Sequence, residues 1–257
     1  MKPRQVIILA AGLGSRLQHL TQALPKALIP FCGKPLLGYA LDFARQAVGP
    51  EGQRIVVSGF CADQVQEYVN RYAPDASVVF NPDFRKGNLL SVKTGVDSIQ
   101  KGFLLMNVDH VYPFAFADRL MSAPGQVVLA VDRDRPLGSD DMKVEYDSAG
   151  AVNRMSKKLE AWNCGYIGMT RVDDEAGADY RAAMLSVIAR HPETAVAEDV
   201  IAELHERKTF ATTCDLSGLG WIEIDNCEEL AAGEQRLAQD PDLLRRGWET
   251  SRVADFV

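Results

Sequence analysis

Apolar residues recur along the first part of the chain in two alternating patterns. Val6-Ile7-Ile8-Leu9-Ala10 is a continuous apolar run rich in β-branched residues, which predicts a central strand covered on both faces. Comparable runs stand at 54–57, 77–80 and 103–106, separated by amphipathic stretches over 36–48, 62–71 and 89–99. This β-α-β rhythm predicts a mainly parallel sheet flanked by helices. Beyond about residue 124 the strand candidates crowd together, at 127–131, 142–146, 151–155 and 164–169, so the second half is expected to be mixed or antiparallel. Helices are expected over 180–190 and 197–206, then a strand at 220–224 and a helix from Asn226. No Pro/Gly/Ser linker or internal repeat divides this run. We therefore expect one domain over 1–239 and a charged tail over 240–257, whose Trp248 and Phe256 dock on the body or on the second subunit of a homodimer.

Charge narrows the function. With 257 residues, 47% hydrophobic, and a net charge of -7, the chain can bury a sizeable core. It lacks the concentrated Lys and Arg that a nucleic-acid backbone or an anionic membrane calls for. Any phosphate site must be local. The run at 6–11 is too short for a signal segment or a membrane span. Cys32, Cys61, Cys164, Cys214 and Cys227 are scattered without metal-ligand spacing, as expected of reduced, mostly buried thiols in a cytoplasmic protein.

Local phosphate chemistry is written after the first strand. In Leu9-Ala10-Ala11-Gly12-Leu13-Gly14-Ser15-Arg16, followed by Pro25-Lys26-Ala27-Leu28, small residues permit close backbone approach to phosphates and the two cations can neutralise them. The string is neither the dinucleotide GxGxxG nor a GxxxxGK[ST] loop. A second group, Asn107-Val108-Asp109-His110-Val111-Tyr112, follows the strand at 103–106, where open α/β sheets bind ligands; the alternative for Asp109 is a helix cap before Pro113. A third, Trp221-Ile222-Glu223-Ile224-Asp225-Asn226, precedes Glu228-Glu229, and its Asp225 and Asn226 fit a capping arrangement too. The Asn81-Pro82, Lys86-Gly87-Asn88 and Ser91 segment reads as a turn with an Asn cap. Lys157-Lys158 fits a solvated pair, and Glu198-Asp199 a helix start favoured by the dipole.

Gly12, Gly14, Arg16, Pro25 and Lys26 together resemble the opening motif of the nucleotidyltransferase superfamily with a glycosyltransferase-A-like fold. The later groups resemble its inositol-phosphate and phosphocholine cytidylyltransferase branch, in the same order along nearly the whole chain. The resemblance implies a three-layer α/β/α fold with a mainly parallel mixed central sheet and a Rossmann-like nucleotide-binding half. It implies a Mg²⁺-dependent transfer of CMP from CTP to a small phosphorylated alcohol. Arg16, Lys26 and Lys157 would handle phosphate charge, and Asp109 and Asp225 the metal. Leu9, Ala10, Ala11, Gly12, Gly14, Ser15, Asn81, Gly87, Asn88, Ser91 and Asn107 would surround the nucleotide. Glu223 and Asn226 replace the family's usual Asp and Thr. The same phosphate-handling residues suit a sugar-1-phosphate nucleotidylyltransferase using UTP, GTP or dTTP, whereas a non-catalytic nucleotide-binding regulator would be expected to have lost some of them.

Overall fold

The computed structural model describes residues 1–245. The first strand, β1 (Gln5–Ala10), leads through a short hairpin of β2 (Pro30–Phe31) and β3 (Lys34–Pro35) to α1 (Leu36–Val48). Then come β4 (Gln53–Ser58), α2 (Ala62–Tyr72), β5 (Ser77–Phe80), α3 (Leu89–Asp97) and β6 (Phe103–Asn107). A two-residue strand β7 (His110–Val111) and α4 (Ala115–Ser122) precede β8 (Val127–Asp132), β9 (Lys143–Tyr146), β10 (Val152–Ser156) and β11 (Cys164–Val172). The chain closes with α5 (Gly177–Arg190), α6 (Asp199–Glu206), β12 (Ala211–Asp215), β13 (Ile222–Glu223) and α7 (Cys227–Gln239).

Among the described residues nine strands form one sheet, in the order β10-β9-β11-β6-β1-β4-β5, with β8 beside β11 and β12 beside β8. β1 pairs in parallel with β4 and β6, β4 with β5, and β8 with β12, while β11 is antiparallel to β6, β8 and β9. With β10 antiparallel to β9, only β10 and β11 run against the rest. The carboxyl ends of the other seven, including Ala10, Asn107 and Asp132, therefore share one edge.

Alternation along β1 divides the core. Val6, Ile8 and Ala10 face α1, α2 and α4, whereas Ile7 faces α3, α5 and α6. The result is the three-layer α/β/α fold with a mainly parallel mixed sheet. A third cluster, including Leu17, Ile29, Phe31, Val111, Ile222 and Leu243, lies outside the sheet and ties the loop after β1 to the β7–β13 ribbon.

Three expectations need correction. β12 was not anticipated, because Ala-Thr-Thr-Cys-Asp lacks an apolar run; its partner β8 supplies the pairing. The strand expected at 220–224 is only β13, paired with β7 rather than with the main sheet. Of the cysteines, Cys164 and Cys214 are buried, but Cys32 is exposed and Cys61 and Cys227 are partly so. The start of the tail docks on the body through buried Leu243 and the Leu244 carbonyl, which accepts from the Phe114 N–H at 2.9 Å; Trp248 and Phe256 lie outside the described residues. No described helix is long and apolar enough to cross a membrane.

One buried charge holds the far end of the sheet. The Arg171 guanidinium, fully buried, donates to the Ala123 and Gly125 carbonyls at 2.9 and 2.6 Å and to Asp173 Oδ1 at 2.8 Å. It also donates to the Leu120 carbonyl, one of those that α4 leaves without helical partners. Arg171→Met should therefore destabilise the protein by about 3 kcal/mol, since it orphans the Leu120 and Gly125 carbonyls while Asp173 and the Ala123 carbonyl keep only Lys2. Urea unfolding checks this, and a loss below about 1 kcal/mol would mean that water replaces the guanidinium.

Candidate active site

The loop after β1 and the turn at Lys26 are built for each other. Gly14 has a φ of 64°, and a Cβ there would stand 2.8 Å from Lys26 Cβ and 3.0 Å from Thr21 Cγ2. Glycine is thus required twice, by conformation and by contact. Thr21 Oγ1 donates back to the Gly14 carbonyl at 2.9 Å. Gly12 is exposed, with open space where a Cβ would be.

Lys26 is buried, and its ammonium reaches Asp109 Oδ2 at 2.7 Å and, closer still, Asp225 Oδ1. Three distant segments meet at one nitrogen. Burial alone would push the lysine pKa down, but the two carboxylates overcome it and raise it. Burial likewise opposes the charged form of Asp109, yet Lys26 and His110 hold its carboxyl far below the ordinary range. Asp225 also takes Arg16 Nη2 at 2.6 Å. Capping of α7 falls to its neighbour: Asn226 Oδ1 accepts the Glu228 and Glu229 N–H groups at 3.0 and 2.9 Å, and Glu229 Oε2 accepts the Asp225 N–H at 2.7 Å. The Asp225 side chain is thereby free for the site. Asp109 is no helix cap either, since α4 starts at Ala115.

On the other flank His110 is stacked between Trp221 and Tyr112, at ring-centroid distances of 5.3 and 5.6 Å. Its Nδ1 stands 2.6 Å from Asp109 Oδ1, and its Nε2 faces Glu223. Burial lowers the imidazole's affinity for a proton, but Asp109 and Glu223 more than restore it. Glu223 is paired with Arg135 at 2.7 Å. Gly168, at a φ of 77° in a bulge of β11, leaves room for this stack; a Cβ would meet the Tyr112 hydroxyl at 2.8 Å.

A cavity of about 250 Å³ joins these groups. Of the residues singled out in the sequence, Arg16, Asn88, Asn107, Asp109, Lys157 and Asp225 line it. The remaining nucleotide candidates are placed differently. Asn81 Nδ2 donates to Ser91 Oγ at 2.9 Å, both being buried, and Gly87 is packed so closely on Ala195 that a Cβ would overlap its carbonyl. These three shape the 81–91 segment. Leu9, Ala10 and Ala11 form the strand end beneath the loop, and Ser15 is exposed at its tip.

Several participants escaped the sequence reading. Asp140 takes Lys157 Nζ at 2.8 Å and pairs with Arg16 as well. Asp132 ends β8 and Arg135 stands in the charged loop that follows; Asp132 Oδ2 accepts the Trp221 indole N–H at 2.7 Å. The available signal was position, because β8 ends at the same sheet edge as β1 and β6. Buried Lys143 donates to the Lys157 carbonyl at 2.9 Å and so fixes that lysine's backbone.

No cluster of three or more His, Cys, Asp or Glu suited to a metal ion occurs among the described residues. Two carboxylates converging on one cation nevertheless suit Mg²⁺, which is commonly held by one or two carboxylates plus substrate phosphates. The glycine loop, the paired cations and the two acids at the carboxyl edge of the sheet define a nucleotidyltransferase site.

The chain belongs to the MobA-like NTP transferase domain family, whose model matches residues 6–209. It is 27% identical over 239 residues to the bifunctional IPC transferase and DIPP synthase of Thermococcus kodakarensis, covering 93% of this chain and 52% of that protein. The chain thus spans about half the length of this relative. Its fold matches the inositol-1-phosphate CTP transferase from T. maritima, with TM-score 0.75 and 18% identity over 93% of this chain and 98% of that one. It likewise matches the CTP:phosphocholine cytidylyltransferase from Streptococcus pneumoniae, with TM-score 0.72 and 20% identity over 92% and 100% of the two chains.

Removing the shared cation tests the site's architecture without any substrate. Lys26→Met should cost about 3 kcal/mol in EDTA, the lower end for a broken buried pair because Asp109 keeps His110 and Asp225 keeps Arg16. Denaturant unfolding measures it; unchanged stability would show the two carboxylates to be solvated rather than held.

Proposed function

We propose that this chain transfers CMP from CTP to a small phosphorylated alcohol and releases pyrophosphate. The observation that carries the reading is the convergence of Arg16, Lys26, Asp109 and Asp225 at the glycine loop, with Lys157 across the same cavity. The names of the relatives support the donor and the acceptor class.

In the reaction an acceptor phosphate oxygen attacks the α-phosphorus in line, forming the new P–O bond as the α–β bridging bond breaks and pyrophosphate leaves. The acceptor phosphate is ionised at neutral pH, so no general base is required, and His110 is committed to Asp109 instead. Arg16 and Lys26 neutralise the triphosphate, while Lys157 holds the incoming phosphate. Asp109 and Asp225 would hold Mg²⁺, which when bound supplies charge neutralisation at the phosphoryl oxygens. Asp140, which bridges Arg16 and Lys157, must yield them as phosphates enter.

Pyrophosphate release measured for four nucleoside triphosphates against phosphorylated alcohols and sugars tests the assignment. CTP should outperform ATP and GTP, EDTA should abolish turnover and Mg²⁺ restore it. Asp109→Asn should lower kcat by roughly 10²–10³, and Lys157→Ala should chiefly raise the acceptor KM. A preference for GTP or dTTP with a sugar 1-phosphate would transfer the chain to the sugar-nucleotide reading.

A further inference from the structure

Nearly every carboxylate around the cavity has a partner of its own. Asp109, Asp140, Asp141, Glu223 and Asp225 each pair with a Lys, Arg or His nitrogen. Asp132 is satisfied by the Trp221 indole and by the Asp134 N–H at 2.7 Å. Glu198 differs. It lines the same cavity, yet it has no ion-pair partner among the described residues; its contacts are the Asn88 side chain and a backbone hydrogen bond.

The position of Glu198 is not explained by the helix it precedes. It occupies the cap position of α6, but its side chain makes no capping bond. Asn88 is fixed in turn, its Oδ1 accepting the Ala197 N–H at 2.8 Å. Burial pushes the Glu198 carboxyl up, with Lys157 acting weakly in the opposite sense. A partly buried carboxylate held only by neutral groups is poorly compensated, and a ligand that brings a cation relieves that.

The shape around Glu198 limits what that cation can be. Behind the main cavity lies an enclosed recess of about 40 Å³, and the two spaces share Asn88, Asn107, Tyr166 and Glu198 as walls. Such a volume takes on the order of one to three water-sized groups, enough for –NH₃⁺. A trimethylammonium head or a polyol ring is larger.

We infer that the acceptor carries a primary ammonium a short alkyl chain away from its phosphoryl group, with Glu198 taking the ammonium in the recess while Lys157 takes the phosphoryl end. Aminoalkyl phosphate monoesters and aminoalkyl phosphonates share this chemistry. The inference rests on the nucleotidyl-transfer reading for what happens next, but not for recognition itself.

The test compares 2-aminoethyl phosphate with 2-hydroxyethyl phosphate and phosphocholine, using the whole chain with CTP and Mg²⁺. The amine should exceed both in kcat/KM by roughly ten- to a hundredfold, the range for a charge-assisted hydrogen bond. Equal or better turnover of either competitor overturns the inference. In Glu198→Gln the amine-to-hydroxyl ratio should fall toward one; a retained ratio overturns the assignment to Glu198. The wild-type comparison is decisive even where that variant fails to fold. Calorimetric titration of the first two compounds with CTP and EDTA reads recognition apart from chemistry. Preferential binding of the amine without any pyrophosphate release would keep this inference and sink the transfer reading, whereas release without amine preference would do the reverse. Absent or equal binding of the amine in that titration overturns the inference as well.

Discussion

The site depends on one ammonium held between two carboxylates. Asp109 ends a sheet strand, Asp225 follows a short ribbon strand more than a hundred residues later, and neither could approach the other in a poorly solvated position without a cation between them. Lys26 supplies it, and the need for Lys26 in that place dictates Gly14, whose missing Cβ makes room for the lysine stem. The third hydrophobic cluster fixes the same three segments from behind: Leu17 and Ile29 flank the glycine loop and the lysine turn, Val111 follows Asp109, and Ile222 and Ile224 precede Asp225. Packing sets the distances and the ion pairs set the contents.

From Lys26 the charges alternate in both directions. One arm runs through Asp109, His110 and Glu223 to Arg135, the other through Asp225 and Arg16 to Asp140 and Lys157. Each internal member has an opposite charge on either side, so no charge in the array stands uncompensated. The arms differ in exposure. His110 is buried and stacked, whereas Arg16, Asp140 and Lys157 are about half exposed, so the second arm's pairs lie open to solvent while the first arm's are shielded.

Much of this was legible in the chain. The apolar runs at 6–10 and 103–106 placed the loop and Asp109 at one sheet edge, because a strand buried on both faces must end where the next helix can begin. The string from Gly12 to Lys26 carried both its cations and its reason for glycine. The segment at 81–91 was less legible. Asn81 and Ser91 have polar side chains that suit a ligand as well as a turn, and in the folded chain they bond to each other; nothing local distinguishes those uses. Asp140, Arg135 and Asp132 were missed for another reason. Their loop reads as ordinary solvated charge until β8 is known to point the same way as β6, and that direction follows from the antiparallel β11 between the two strands.

The two departures from the family pattern after Trp221 have separate physical accounts. Asn226, in place of Thr, keeps an N-cap acceptor for α7, so this change preserves the cap and leaves Asp225 unencumbered. Glu223, in place of Asp, is one methylene longer. From the β7–β13 ribbon its carboxylate reaches both Arg135 and the His110 ring, joining the loop after β8 to the imidazole that steadies Asp109. The Trp221 indole closes the same connection from beneath: it stacks on His110, lies under the Arg135 guanidinium at 5.0 Å, and anchors Asp132. The loop bearing Arg135 and Asp140 is thus tied to Asp109 on one side and to Lys157 on the other. Lengthening Glu223 binds the loop after β8 to Asp109, a coupling that a shorter Asp at this position would have to span through water.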